Sequence, residues 1–152
     1  MLSEALKLYF KTWATELNLF PLKTHKKAFD NGFVSGYRAC FGDALATDWS
    51  DCPADFTILE QVVLARNVGQ HGGDIVSMRV EHTDQDIRKF SSLFFVSDKE
   101  AEIYQSMDPA VRFWMMPSVH VSASKLTAAI NEVKHLAQWL DAKIADTPRS
   151  RR

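Results

Sequence analysis

Residues 122–146 read SASKLTAAINEVKHLAQWLDAKIAD and show the clearest helical pattern of the chain. Apolar side chains recur every three or four residues, which is typical of one face of an amphipathic α-helix. This stripe consists of Leu126, Ile130, Val133, Ala137, Leu140 and Ile144. Ser122 or Ser124 is suited to cap the first turn, because a serine hydroxyl accepts a hydrogen bond from a free backbone amide there. We therefore expect a long closing helix, with Trp139 off its stripe and covering a second neighbour.

Three more helices are predicted upstream of this stretch. The first covers residues 2–20 and ends before Pro21, and the second runs from about residue 24 to 46. The aromatic face of the second helix consists of Phe29, Phe33, Tyr37 and Phe41, followed by Leu45. The third helix covers about 54–71, with Asp51 or Asp55 at its start and Pro53 in its first turn, and it is stopped by Gly72, Gly73 and Asp74.

The segment between residues 74 and 118 has a less regular pattern. Asp74 to Val80 alternates weakly and could be extended. Thr83 and Asp86 form the pattern of a capping box, which predicts a short helix after Thr83. Residues 91–96 are a candidate strand, and 107–117, rich in Met and aromatic residues, is either a buried connection or a partner surface. We expect a mainly all-α fold: a bundle of four to five helices with a short irregular or extended segment before the last helix.

Composition narrows the class of protein. The chain has 152 residues, 18 of them basic and 19 acidic, with a formal net charge of −1. This balance excludes a strongly basic nucleic-acid binder but leaves room for a local basic site. Cys40 and Cys52 are too few for a disulfide framework, and we expect two reduced thiols.

No uncharged run near the amino terminus reaches the length of a signal peptide or a membrane span. We expect a soluble, cytoplasmic protein that does not contact a membrane. Its single domain is predicted at residues 1–146. Residues 147–152 are expected to form a basic, disordered tail that is either merely solvated or assists nucleic-acid binding electrostatically.

The third predicted helix changes from apolar to polar along its buried face. On that face, adjacent pairs of residues recur every four positions, namely Ile58-Leu59, Val62-Val63, Arg66-Asn67 and Gln70-His71. Arg66 still has apolar neighbours in Ala65 and Val68, and a charged group at a core-facing position needs a partner or a cavity. Arg66, Asn67 and His71 are expected to converge near the carboxyl end of the helix, whereas Glu60 is expected to face solvent.

An arginine and a histidine are sufficient to cleave RNA without a metal. Histidine titrates near neutral pH, so His71 can take the proton from a ribose 2′-hydroxyl. Arginine is a permanent cation whose planar fork matches phosphate, so Arg66 can stabilise the charge that develops there. DNA lacks the 2′-hydroxyl and cannot react in this way.

The stretch from Leu64 to Gly73, LARNVGQHGG, resembles the Arg-x4-6-His motif of the HEPN superfamily of helical ribonucleases and its surroundings. The closing segment also resembles that family's final helix. The resemblance implies a HEPN-like helical bundle that dimerises and forms a composite RNA-cleaving site, with Arg66 and His71 catalytic. Asn67 and Gln70 would bind substrate, and neither a metal nor a cofactor is implied. Gly73 stands where members paired with a nucleotidyltransferase carry Tyr.

Such proteins are often toxins or defence effectors that act on cellular RNA, sometimes held by an antitoxin. The alternative is a non-catalytic HEPN-like module that binds RNA or a partner protein. A metal site at His82, Asp84 and Asp86 is a weaker hypothesis, because these residues lack a strong ligand spacing. Phosphate-binding loops and nicotinamide-binding motifs are absent from the sequence.

Overall fold

A computed structural model describes residues 1–19, 25–71, 81–90, 92–112 and 116–147, without the side chains of 66–71, 84, 85 and 109. These residues contain helices and one isolated bridge between Glu81 and Ser118, so the predicted all-α class is confirmed. The helices are α1 (Leu2–Glu16), α2 (Lys26–Asp30), α3 (Phe33–Leu45), α4 (Phe56–His71), α5 (Asp84–Lys89), α6 (Asp98–Ser106), α7 (Pro109–Arg112) and α8 (Ala123–Asp146). The four predicted long helices correspond to α1, α3, α4 and α8. The other described helices are shorter.

The chain divides into two compact units. Unit 1 comprises residues 1–60 and 129–152, and unit 2 comprises residues 61–128. Helices α4 and α8 each contribute residues to both units. Among the described residues, no helix combines the length and the apolar character needed to cross a bilayer.

Unit 1 is built around a stack of aromatic rings. Phe10 of α1 lies parallel to Tyr37 of α3, with 5.1 Å between ring centroids, and 5.9 Å from Phe41. Phe10 and Phe41 are fully buried. Of the predicted aromatic face, Tyr37 and Phe41 are buried in this core, whereas Phe29, Phe33 and Leu45 are half-buried. Burying one phenylalanine contributes roughly 1.5–3 kcal/mol to folding.

The helix predicted over residues 24–46 is instead two helices, α2 and α3. They are separated at Gly32, whose φ of 142° is a conformation that side chains other than glycine rarely adopt. The backbone amides of Asn31 and Gly32 donate hydrogen bonds to the carbonyls of Ala28 and Phe29, respectively, and end α2. The aromatic periodicity continues across this break, which is why the pattern alone did not reveal it.

Helix α8 begins where its serine cap was predicted, but its buried line differs from the predicted stripe. The Ser122 hydroxyl accepts a hydrogen bond from the Lys125 amide at 3.2 Å. Leu126 is 41% exposed. The line that is buried consists of Ala129, Leu136, Leu140 and Ile144. The helix itself was predicted correctly, but its buried face was predicted at a slightly different angle around the helix axis. The reason is that an alanine such as Ala129 adds little to a hydrophobic pattern.

Trp139 covers a second neighbour, as predicted. Its ring lies 4.7 Å from that of Trp49, in the connection between α3 and α4. The guanidinium of Arg38 lies over Phe56, 4.0 Å from the ring centroid, and 5.9 Å from that of Trp49. Such cation–π contacts fix the start of α4 against α3. Asp55 caps α4 by accepting from the amide of Thr57 at 2.7 Å, so this predicted cap is confirmed; Pro53 lies before the helix rather than in its first turn.

In unit 2 the predicted capping box is present. Thr83 accepts from the Asp86 amide at 3.2 Å, and the Asp86 carboxylate accepts from the Thr83 amide at 3.0 Å. The predicted strand is not found, because residues 92–96 form bends without a partner strand in the described part of the chain. Of the segment 107–117, residues 109–112 are helical; residues 113–115, like 74–80 and the tail beyond 147, lie outside the described residues.

Candidate functional site

The predicted catalytic residues lie on the last turns of α4. This helix runs without interruption from Phe56 to His71, so the backbone at Arg66, Asn67, Gln70 and His71 is helical. Their side chains lie outside the described residues. At 1.5 Å per residue, Arg66 and His71 are separated by about 7.5 Å along the helix axis. The predicted helical setting of the motif is confirmed, and the roles of these residues stay predictions.

Helical register places the four motif positions within one arc. At about 100° per residue, the positions of Arg66, Gln70, Asn67 and His71 together span an arc of about 140°. Arg66 and His71 are at the two edges of this arc. A substrate phosphate would have to lie against the middle of the arc to be reached from both edges.

Two side chains in the middle of α4 fix this helix, and the first is Glu60. The sequence predicted that Glu60 faces solvent, and this is wrong, because the residue is 4% exposed. Its Oε2 accepts hydrogen bonds from the amides of Val34 at 3.0 Å and Ser35 at 3.2 Å. Glu60 thus supplies the cap at the amino end of α3, where a negative charge is also favoured by the helix dipole.

The local conformation at Gly32 makes room for that carboxylate. A Cβ atom at Gly32 would collide with the carboxylate of Glu60. Gly32 itself is the N-cap residue of α3 and has no side chain with which to cap. The amino end of α3 is therefore capped by Glu60 of α4, because the N-cap residue of α3 cannot do so. A contact of this kind between two helices leaves no pattern in the local sequence.

The second anchor is Gln61, which belongs to unit 2. Its amide nitrogen donates to the carbonyl of Ser92 at 3.1 Å, and its amide oxygen accepts from the Phe94 amide at 2.7 Å. Gln61 is 4% exposed, so these bonds satisfy a buried polar group. They hold the irregular segment 92–96 against α4. The only sequence signal was a glutamine directly before the apolar pair at 62 and 63.

His82 and Asp86, considered as metal ligands from the sequence, have structural partners instead. The His82 Nε2 lies 2.8 Å from the carbonyl oxygen of Phe95, and it must be the donor because a carbonyl only accepts. The His82 amide donates to the Pro117 carbonyl at 2.9 Å. Asp86 is engaged in its capping box. Within the described residues, no three His, Cys, Asp or Glu side chains are grouped to hold a metal.

A cleft of about 540 Å³ lies in unit 2. It is formed by α5, the irregular segment after it, α6 and α7. The described residues that line it are Ile87, Arg88, Lys89, Phe90, Ser92, Leu93, Val96, Ala101, Tyr104, Gln105, Arg112 and Pro117. Its volume falls within the range of roughly 300–1,000 Å³ that is usual for ligand pockets. Sequence analysis did not find this cleft, because its residues come from four separate segments.

Helix α5 connects the cleft with α4. Asp86 of α5 and Phe90, which directly follows this helix, line a small cavity together with Gln61, Leu64 and Ala65 of α4. The residues between them on α5 line the larger cleft. The helix that carries the motif therefore packs, within the turn that precedes Arg66, against the helix that forms one wall of the cleft.

The two cysteines are free thiols, as predicted. Cys40 is buried in unit 1, and burial raises the pKa of its thiol. Burial likewise raises the pKa of the Cys52 thiol. A thiol with a raised pKa is a poor nucleophile at neutral pH, so neither cysteine is suited to covalent catalysis.

Comparison with known proteins gives no relative of this chain. No protein-family model, no curated protein and no solved structure matches it. The resemblance to HEPN ribonucleases therefore rests on the residues of the motif and on their helical setting.

Proposed function

We propose that this protein is a metal-independent endoribonuclease, with Arg66 and His71 as its catalytic residues. The proposal is carried by one observation, namely that the Arg-x4-His stretch ends an unbroken helix in an all-α chain. Asn67 and Gln70 lie within the same arc of that helix and would contact the substrate phosphate.

The proposed reaction is an internal transesterification. His71 takes the proton from a ribose 2′-hydroxyl, and the 2′-oxygen attacks the adjacent phosphorus. Arg66 stabilises the negative charge on the phosphate oxygens as that bond forms. The bond to the 5′-oxygen breaks, and this oxygen takes up a proton. The products are a 2′,3′-cyclic phosphate and a 5′-hydroxyl end, so no water or metal enters the bond-forming step.

The proposal includes a second copy of the chain. Because the positions of Arg66 and His71 are at opposite edges of one helical arc, a homodimer that opposes two such arcs would surround the phosphate from both sides. In the cell, such an enzyme needs a restraint, and an antitoxin or another defence-system protein is the proposed partner. A cytoplasmic location is part of the same proposal.

The direct test is incubation of the purified chain with a structured RNA pool in excess EDTA. We expect cleavage by the parent and a loss of at least 100-fold in His71→Ala, since general-base catalysis contributes about 10²–10⁴-fold. His120→Ala is the matched control, because His120 is an exposed histidine of the same unit. Cleavage that requires an added divalent metal, or equal cleavage by parent and His71→Ala, would overturn the mechanism.

The second candidate function is a non-catalytic HEPN-like module that binds RNA or a partner protein. It is favoured by the cleft of unit 2, which has the size of a binding pocket whether or not the chain is an enzyme. This candidate predicts binding without turnover, and equal binding by the parent and His71→Ala.

A further inference from the structure

The cleft of unit 2 concentrates positive charge on a nearly neutral protein. Arg88, Lys89 and Arg112 line it, and none of its described lining residues is acidic. The chain as a whole has a formal net charge of −1. Three cations around one opening favour an anionic ligand, because a cleft of one charge sign focuses the field on its interior.

Two carboxylates next to the cleft in sequence bind backbone groups of unit 2. The Asp86 carboxylate accepts from the Thr83 amide at 3.0 Å. The Glu100 carboxylate accepts from the Ser118 amide at 3.0 Å. Neither Asp86 nor Glu100 is among the described residues that line the cleft.

Arg112 is held in a fixed orientation at the wall of the cleft. Its Nε donates to the Met107 carbonyl at 3.0 Å, and one terminal nitrogen donates to the Gln105 carbonyl at 2.7 Å. The guanidinium also lies 5.5 Å from the ring centroid of Tyr104. Two of its five N–H donors are used in these bonds. Because the side chain is already ordered, an anion that binds there does not have to immobilise it.

The cleft thus combines a guanidinium that lies over an aromatic ring with two further cations. Arg112 and Tyr104 provide the planes, and Arg88 and Lys89 lie on α5 at the other wall. Proteins that bind single-stranded nucleic acid use this combination, because bases stack on aromatic or guanidinium planes while cations follow the phosphates. A paired duplex keeps its bases stacked on each other and does not offer them in this way.

We propose that this cleft binds a single-stranded segment of RNA, with one unpaired base stacked on the Arg112–Tyr104 pair and the flanking phosphates at Arg88 and Lys89. This deepens the proposed function by naming unpaired RNA as the substrate class, and it rests on that function for the choice of RNA. The cleft would hold the RNA strand beside α5, the helix against which α4 packs, while the motif residues of α4 carry out cleavage.

The test measures binding without turnover. The full-length parent is titrated into a fluorescent 2′-O-methyl 15-mer in EDTA, and anisotropy gives Kd at several salt concentrations. This RNA lacks the attacking hydroxyl, so the measurement does not depend on whether the chain cuts RNA. With three phosphates neutralised, log Kd should change with log salt with a slope of about 2, since each contact on a single strand contributes about 0.7.

Variants separate stacking from charge. Tyr104→Leu should weaken binding by about 5- to 150-fold with an unchanged salt slope, because one base–aromatic stack is worth about 1–3 kcal/mol. Tyr104→Phe keeps the ring and should bind like the parent. Arg88→Gln should lower the salt slope by about 0.7. Lys134→Gln removes an exposed cation of unit 1 and is the charge-matched control, with no change expected.

The outcomes distinguish this proposal from the ribonuclease itself. Equal binding by the parent, Tyr104→Leu and Arg88→Gln, with each variant melting like the parent, would overturn the cleft proposal and leave the cleavage assay unaffected. A second result would also overturn the cleft proposal, namely that a polyglutamate peptide displaces the RNA and binds Tyr104→Leu as tightly as the parent. That result would indicate an acidic protein partner. Binding lost in the cleft variants, in a protein that never cuts RNA, would support the cleft and reject the enzyme.

Discussion

The two units of this protein are stabilised in different ways. Unit 1 contains the largest fully buried side chains of the described residues, which are Phe10, Phe41, Leu6, Leu59, Leu136, Leu140 and Val34. Unit 2 relies more on buried polar side chains that bind backbone groups, notably Gln61, His82 and Asp86. Apolar packing tolerates little change in shape anywhere in the core. A polar anchor, by contrast, holds one segment, so unit 2 can change locally while unit 1 stays folded.

The largest effect is expected from Phe10→Ala in unit 1. Phe10 has no exposed surface and stacks on Tyr37, so its removal leaves a cavity that costs about 3–5 kcal/mol of unfolding free energy. Urea denaturation followed by circular dichroism measures this loss. Leu8→Ala is the control, because Leu8 lies on the same helix and is 67% exposed. A loss below 1 kcal/mol in Phe10→Ala would show that the aromatic stack does not support unit 1.

The next largest effect is expected from Glu60→Ala. This change leaves the amides of Val34 and Ser35 without their carboxylate acceptor, which costs about 1–3 kcal/mol for a buried group. Thermal unfolding measures the loss, and Glu16→Ala, an exposed acid of α1, serves as the control. An unchanged melting temperature in Glu60→Ala would mean that this polar anchor is dispensable for the stability of unit 1.

In unit 2 we expect a local rather than a global effect from Gln61→Ala. The Phe94 amide loses its acceptor, so local opening of residues 92–96 becomes easier by about 1 kcal/mol. Hydrogen exchange should speed up at Phe94 by about fivefold, with little change at Leu136 in the core of unit 1. Equal acceleration at both amides would contradict the contrast between the units.

The smallest effect is a dependence on pH at the surface of unit 1. The hydrogen bond from Lys143 to the Asp51 carboxylate, 2.8 Å long, lowers the pKa of Asp51. A carboxyl with a lowered pKa in the folded state stabilises it above its unfolded pKa of about 3.9, and this contribution is lost as pH falls through the folded pKa. Asp51→Asn should therefore melt slightly below the parent at pH 6, and the difference should shrink as the pH falls below the unfolded pKa of about 3.9. A difference that grows on acidification would contradict this sign.

Sequence periodicity predicted the long helices and could not predict what joins them. The aromatic repeat from Phe29 to Phe41 correctly indicated a core, because burial imposes the helical period on apolar residues. The break at Gly32 and the burial of Glu60 depend on a contact between residues 28 positions apart, which no local pattern records. The strand predicted at 91–96 was wrong for the same reason, since Gln61 binds the Ser92 carbonyl and the Phe94 amide of that segment from a distant position in the sequence.

The candidate site was predictable only in part. The spacing of Arg66 and His71 suggested a reaction, and the helical setting of that spacing was predicted correctly. The cleft of unit 2 was not predicted, because Arg88, Tyr104 and Arg112 come from separate segments of the sequence and only the fold brings them together. A binding surface assembled from short segments leaves no periodic signal in the sequence.

The central claim is that Arg66 and His71 cut RNA through its own 2′-hydroxyl. Mass spectrometry of the fragments formed in excess EDTA identifies the chemical group at each new 3′ end. The account predicts a 2′,3′-cyclic phosphate in the products of the parent, and no such products from His71→Ala or from 2′-O-methyl RNA. Fragments that carry a 3′-hydroxyl and a 5′-phosphate would contradict it, because attack by the 2′-oxygen cannot produce those ends.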